Sequence, residues 1–543
     1  MSIGVSNRSA RIAPRTVALC LILIALGIVF RFGNLNQVYW HDETFTSLRM
    51  SGYTAPEVKT DLFNGETLVT VNDLMQYQWP HEERTVVDTV SSLVVDDPQH
   101  PPVYYVLVRQ WVAAFGHSIW MARSLSVLIS LLSFPAMYWL CQELFVFADV
   151  KQRVTTSQRR LTSLLATVLL AVSPYHVLYS QEAREYALWT VFILILNALF
   201  LRNLRHSTWF NWLLYTSLLS ASLYTHPFTG FFAVGHGFYL LITALSRPAR
   251  STIAGCLAVA IGCLSFVPWA WILIRSSFVS IGLSWVNQPL PLDILMKIWG
   301  LHLMRCFFLT EGDFGFDTWQ VYVGLSLAIP LLVYTLYFIC RWTPWRFWLF
   351  ILTLIIFTCL PLVLPDLIIG GQRSSAGRYF VPTILGMQIA IATVLALHIS
   401  SKHPLIRQFW RGVTVVILMV AIASNISILR TDATWPKFLS YHIPVIARTV
   451  NQSPNPLVIS SSFGINYGNV FSLSHQLNPE VPLLLFDLDQ VPNASTPSKL
   501  TEKFRNVFLL NPSDELRASI EQRENTEADL IFNDFHLYLW KLK

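Results

Sequence analysis

Apolar residues run through this chain in long blocks, not in the stripes of a soluble protein. Blocks lie at about 16–32, 121–140, 161–178, 186–202, 209–225, 228–246, 252–274, 320–340, 345–364, 379–399 and 411–429. Each approaches the roughly 20 residues that carry a helix across about 30 Å of hydrocarbon. A helix satisfies its own backbone in lipid, so the pattern predicts an α-helical polytopic membrane protein. Residues 33–100 and 430–543 are too polar to be membrane, and the block at 102–115 is short and carries Arg109.

Charge settles what that short block does. Arg8, Arg11 and Arg15 precede an apolar run from Thr16 to Phe30 with no cleavage site after it, which reads as an uncleaved signal anchor. Basic loops stay inside, so residues 33–100 are outside. The turns with Lys151, Arg153, Arg159 and Arg160, with Arg202 and Arg205, with Arg247 and Arg250, with Arg341 and Arg346, and with Lys402, Arg407 and Arg411 are inside. If 102–115 crossed, all these turns would face outward, so it reads as an interfacial or re-entrant helix. The outcome is about eleven spans and an external C-terminus.

Composition agrees. Hydrophobic residues make up 53% and charged residues 13%, against about 25% charged in soluble domains. That excludes a soluble, disordered or fibrous chain. The net charge of +6 sits in the short loops and does not point to nucleic acid. Cys20, Cys141, Cys256, Cys263, Cys340 and Cys359 lie in or beside apolar runs, and Cys306 in a polar loop. No pair has metal or disulfide spacing, so they read as buried free thiols.

From residue 431 the composition changes. Short apolar runs at Pro456–Ser460, Pro482–Phe486, Val507–Leu510 and Leu530–Phe532 alternate with helical patterns, one opening at Pro512-Ser513-Asp514-Glu515. The end, Phe535 to Trp540, is strand-like. This predicts a small extracytoplasmic α/β domain over 431–543, large enough for a core of its own, after a membrane domain over 1–430. No internal repeat is present.

Polar residues in unexpected places collect on the outer side, where acids beside a bilayer mark candidate sites. Trp40-His41-Asp42-Glu43-Thr44 follows the first span; adjacent acids cannot share a helix face, so one faces a site and the other a partner. Gln99-His100-Pro101-Pro102-Val103-Tyr104-Tyr105 presents His100 at a helix start. Ser173-Pro174-Tyr175-His176, then Gln181-Glu182-Ala183-Arg184-Glu185-Tyr186, put three charges in one short outer turn. His226 ends a helix. The loop from Gly370 through Arg373 to Arg378-Tyr379 joins flexible backbone to guanidinium groups, which suits a phosphate. Phosphate binding beside lipid suggests a lipid-linked phosphate substrate, and the carboxylates suggest a general base.

These residues, with Met121-Ala122-Arg123-Ser124-Leu125, occur in an order that resembles the bacterial dolichyl-phosphate-mannose-protein mannosyltransferase-like proteins, relatives of the lipid A aminoarabinose transferase. The resemblance is dense over about 1–245, looser through Arg378-Tyr379, and says nothing of 430–543. It implies a GT-C fold with juxtamembrane helices in residues 33–100, in a bacterial plasma membrane. It implies transfer of a sugar from a polyprenyl-phosphate donor to a lipid, protein or polysaccharide acceptor on the outer face. Asp42 is then the base with Glu43 beside it, and His100 contacts the donor phosphate. Arg373 and Arg378 meet the leaving phosphate, and Tyr379, Tyr104, Glu182, Arg184 and Glu185 complete the substrate site. A divalent metal ion would take His226 as one ligand, but Gln99 stands where the aminoarabinose enzyme has an acid, and Phe45 where it has an arginine. The competing readings are a transporter or flippase of lipid-linked sugars, which calls for mid-bilayer charges and broken helices, and a non-catalytic sugar-lipid scaffold.

Overall fold

The computed structural model describes residues 12–148, 154–246, 250–277, 285–309, 318–488 and 490–543. Arg8, Arg11, Lys151, Arg153 and Arg247, which bear on orientation, lie outside the described residues. Among the described residues, seven helices are long and apolar enough to cross a bilayer: Pro14–Phe32, Ile119–Phe147, Tyr186–Arg205, Trp319–Trp342, Trp345–Ile368, Gly377–Ile399 and Pro404–Ile428. Two bent pairs raise the number to up to nine: Thr156–Val172 with Pro174–Ser180, bent by 59°, and Arg250–Leu264 with Val267–Ser276, bent by 46°. The remaining two expected spans are shorter helices, Thr229–Leu245 and the 15-residue Trp209–Leu223. The latter reaches only about 22 Å at the usual rise per residue.

Burial sorts the spans. Gly377–Ile399 is the central helix, with 94% of its apolar window inside the protein, whereas Trp319–Trp342 has 28% and turns Leu327, Val333 and Tyr337 outward. The break after Val172 follows from Ser173-Pro174, because proline starts a new helix but cannot continue one. The carbonyls released there are met by side chains. Arg31 donates to Leu170 and Ala171, and Asn425 donates to Val172 at 2.7 Å.

Val103–Phe115 is a separate 13-residue helix. Its Arg109 turns to the first loop and donates to the carbonyls of Met50, Ser51 and Arg84. A guanidinium committed to that loop fits a helix lying along the bilayer surface.

The tail forms part of a six-stranded sheet in the order β1-β3-β2-β4-β6-β5. Strands β2 (Pro456–Ser461), β3 (Leu483–Phe486) and β4 (Asn506–Leu510) are parallel; β5 (Ala528–Asn533) and β6 (Tyr538–Leu542) add an antiparallel hairpin beside β4. Four of these strands fall on the expected apolar runs, and the last begins three residues later than Phe535. The sixth strand is β1, Asn64–Val69, from the loop after the first span, paired antiparallel to β3.

Both faces of the sheet are covered, which explains its near-continuous apolar strands. Leu457, Ile459, Val507 and Leu509 face Leu500, Leu516 and Ile520 of the tail itself. The opposite face, with Val458, Leu485, Phe508 and Leu510, packs on Leu48, Val58, Leu62, Phe63 and Leu74 of the first loop. Residues 431–543 therefore do not build their core alone: one wall and one edge strand come from residues 38–77. The sequence pattern had assigned those segments to different domains.

The register pairs Leu68 with Leu484. Directly opposed strand residues lie at disulfide distance. Cysteines at both positions should cross-link on mild oxidation, read as a shift in gel mobility after cleavage between the two segments. Two free thiols after oxidation would refute the shared sheet.

Candidate active site

The site begins at the helix His41–Ser51, where Asp42 and Glu43 occupy the first turn and favour the helix N-terminus. Consecutive helical positions point about 100° apart, so the two carboxylates part company. Glu43 is fully buried and fully used. It pairs with Arg123 through two bonds of 2.8 and 2.6 Å, accepts from the Ala183 amide at 2.8 Å, and lies 3.5 Å from Lys437 Nζ. Arg123 and Lys437 also donate to the carbonyls of Leu35, Gln37 and Val38. Burial alone would raise the Glu43 carboxyl, but Arg123 and Lys437 outweigh it and hold it below its ordinary value.

Asp42 has fewer partners. Arg378 Nη1 lies 3.2 Å from one carboxylate oxygen and His41 Nδ1 3.3 Å from the other. Its side chain keeps 15% exposure against 0% for Glu43. Burial pushes its carboxyl up, but Arg378 first, then His41 and Arg184, pull it well below the usual carboxylate range. The cations around it favour its charged form, and its side chain is less enclosed than that of Glu43.

Arg184 ties the second layer together. It donates to the Asp42 carbonyl at 3.1 Å and to the Tyr105 hydroxyl at 3.0 Å, and touches the His100 ring at 3.1 Å. His100 Nδ1 lies 3.1 Å from Glu185, whose carboxyl burial would raise but Arg184 and His100 hold down. Glu182 is the opposite case: it is 1% exposed, and among the described residues neither oxygen has a hydrogen-bond partner. Burial, then Glu43, raises its carboxyl, so it favours the neutral form where Asp42 stays charged. Asp42, Glu43, His100, Glu182, Arg184, Glu185 and Arg378 are thus assembled from four separate stretches of chain.

No family model matches the chain, and no curated protein matches it in sequence. Among solved structures, ArnT from Cupriavidus metallidurans bound to undecaprenyl phosphate is similar at 11% identity, over 97% of each chain, with a TM-score of 0.50. The apo form of the same ArnT gives 10% identity, 97% of this chain, 98% of that one and a TM-score of 0.48. The archaeal oligosaccharyltransferase AglB from Archaeoglobus fulgidus gives 11% identity over 92% of this chain and 70% of that one, with a TM-score of 0.44. The chain has the GT-C fold.

Several of the expected residues sit apart from this cluster. Arg373 pairs with Asp366 at 3.2 Å and also bonds Gly370 O and Asn287, so its charge is committed away from Asp42. The turn needs glycine: Gly371 has φ of 128°, and a Cβ there would lie 2.3 Å from the Arg373 guanidinium. Tyr104 is fully buried and bonds Ser126 at 2.7 Å; its neighbour Tyr105 is the tyrosine that reaches Arg184. Tyr379 packs edge-on against Phe228 and His226.

The metal expectation fares worse. His226 stacks on Trp189 with centroids 4.1 Å apart, and its Nδ1 accepts from the Phe228 amide. Burial pulls it down to about 3. Gln99 donates to Asp97, itself paired with Arg49. Among the described residues no three His, Cys, Asp or Glu side chains are placed to hold a metal ion, so these residues do not fit one.

The residues that reading the chain passed over are Arg123, Lys437 and Tyr105. Arg123 lay in a quoted motif without a role. Lys437 lies just beyond the last span, where nothing in spacing points back to residue 43.

Glu43→Gln should be costly. It strips the charge between Arg123 and Lys437, and breaking such a buried pair typically costs about 3–5 kcal/mol. Asp42→Asn should cost clearly less. Thermal unfolding of both variants in one detergent compares them; equal losses would refute the division of roles.

Proposed function

We propose that this protein is a membrane glycosyltransferase that moves a sugar from a polyprenyl-phosphate donor to an acceptor on the extracytoplasmic face, with inversion and with Asp42 as base. The observation that carries this is the Asp42 carboxylate 3.2 Å from Arg378, on the helix that follows the first span. The GT-C fold shared with a protein bound to undecaprenyl phosphate supports the donor class. The basic turns at the opposite ends of the spans support the outward placement of the site in a plasma membrane.

In this reading an acceptor hydroxyl or amine gives its proton to Asp42 as its oxygen or nitrogen attacks the anomeric carbon. The bond from that carbon to the phosphate oxygen breaks, and the electron pair leaves with the polyprenyl phosphate. A single displacement inverts the carbon. Arg378 has two tasks: it keeps Asp42 charged, and it lies where negative charge develops on the leaving group. His100, Arg184 and Glu185 hold the outer turn against the Asp42 helix. The reaction as drawn uses protein side chains and needs no metal step. The two bent spans also suit a transporter of lipid-linked sugars, which would consume no donor.

Asp42→Asn should lower sugar transfer from a radiolabelled polyprenyl-phosphate donor by about 10²–10⁴. Turnover near that of the unaltered protein would remove Asp42 as base. The pH profile gives a second test. With its carboxyl held low, Asp42 stays ionised through pH 5–8, so wild-type turnover at saturating donor should show no acid limb there. Arg378→Gln removes the largest lowering influence and leaves burial, which raises the carboxyl. An acid limb should then move up into that window. Identical profiles would show that Arg378 does not tune the base.

A further inference from the structure

We propose that Arg305 binds the phosphate of the lipid-linked donor, an assignment that rests on the glycosyltransferase reading above. The other buried cations around the site already have partners within the protein. Arg378 has Asp42, Arg123 and Lys437 share Glu43, Arg184 has Glu185, and Arg31 has three backbone carbonyls. Arg305 is 7% exposed, and among the described residues its guanidinium has no carboxylate or carbonyl acceptor. Its one partner is the Trp435 ring, 3.8 Å from the guanidinium carbon. Stacking on an indole offsets part of the cost of burying a cation. It leaves the N–H groups of the guanidinium edge free, and these suit the oxygens of a phosphate.

The position is held. Arg305 directly follows the helix Leu292–Met304. The next carbonyl, of Cys306, accepts from Ser173 at the bent span, at 2.7 Å, and the Leu309 amide donates to Ser424 at 3.0 Å. Burial pulls Arg305 down to about 9, with Tyr179 opposing; a bound anion would oppose it further.

Arg305 also adjoins Asp42's surroundings. Tyr179 sits edge-on to Trp435 at 6.1 Å and to Tyr186 at 5.4 Å, within electrostatic reach of Arg305, Arg378, Glu182 and Asp42. A Cβ on Gly377, the residue before Arg378, would lie 3.1 Å from the Trp435 ring, so this glycine lets the Arg378 segment close onto the Arg305 platform. Among the described residues, several buried polar atoms along this wall lack a hydrogen-bond partner: Trp435 Nε1, Tyr186 Oη, Arg378 Nε and both Glu182 oxygens. Such a group of unpaired atoms beside an unpaired cation marks where a polar ligand belongs.

The test uses the full-length protein in nonionic detergent and compares binding of undecaprenyl phosphate, undecaprenol and phosphatidylglycerol. The unaltered protein should prefer undecaprenyl phosphate to both others. Arg305→Gln should bind undecaprenyl phosphate at least tenfold more weakly and undecaprenol unchanged, at an unfolding temperature close to wild type. If Arg305→Gln does not fold, Arg305→Lys keeps charge and stem and should weaken undecaprenyl phosphate at least threefold. Wild-type undecaprenyl phosphate affinity in the folded variant overturns the assignment, as does a loss confined to phosphatidylglycerol. A wild-type protein with no preference for undecaprenyl phosphate over undecaprenol would instead sink the glycosyltransferase reading itself.

Discussion

The structure turns on one buried ion pair. Glu43 and Arg123 are taken wholly out of water, and such a pair survives only if its other donors and acceptors are met. Here they are met by the Ala183 amide, by Lys437 and by the carbonyls of residues 35, 37 and 38. Four segments far apart in sequence are thereby fixed to one point: the end of the first span, the start of Ile119–Phe147, the turn at 181–185, and the link to the sheet. Disturbing any of them leaves a charge stranded.

Asp42 inherits its position from that knot. Its helix cannot rotate while Glu43 is locked, so the neighbouring carboxylate is aimed at Arg378 on the central helix segment. The electrostatics then separate two acids. Asp42 is held charged by guanidinium groups, whereas Glu182, with no partner and with Glu43 near, is driven toward its neutral form. Opposite pressures on neighbouring carboxyls are the usual mark of acid–base chemistry.

The sheet is bound into the same arrangement. Its first-loop strand and the helices beneath it mean that the tail and the loop after the first span share a core. The contact reaches the Asp42 helix directly. The Thr44 hydroxyl donates to Gly468 O, and a Cβ at Gly468 would lie 2.5 Å from the His41 ring. Movement of the sheet would therefore be felt at the first turn that carries Asp42, which gives the tail a structural tie to the site.

The sequence by itself determined the membrane class, the helix positions and most strands, because long apolar blocks and short apolar runs are local signals. It also brought out Asp42, Glu43, His100, Glu182, Arg184, Glu185 and Arg378, because charges beside lipid are conspicuous. Tertiary structure decided what each one touches. Arg373 and Arg378 look alike in the chain, yet Asp366 captures the first and Asp42 the second. Tyr104 and Tyr105 are adjacent, yet helix rotation sends one to Ser126 and the other to Arg184. Strand β1 was illegible because Asn64–Val69 is short and half-exposed and becomes a strand only by pairing with β3. Arg305, Arg123 and Lys437 were likewise silent. A buried cation is defined by its partners, and those partners lie tens to hundreds of residues away, where no local pattern can record them.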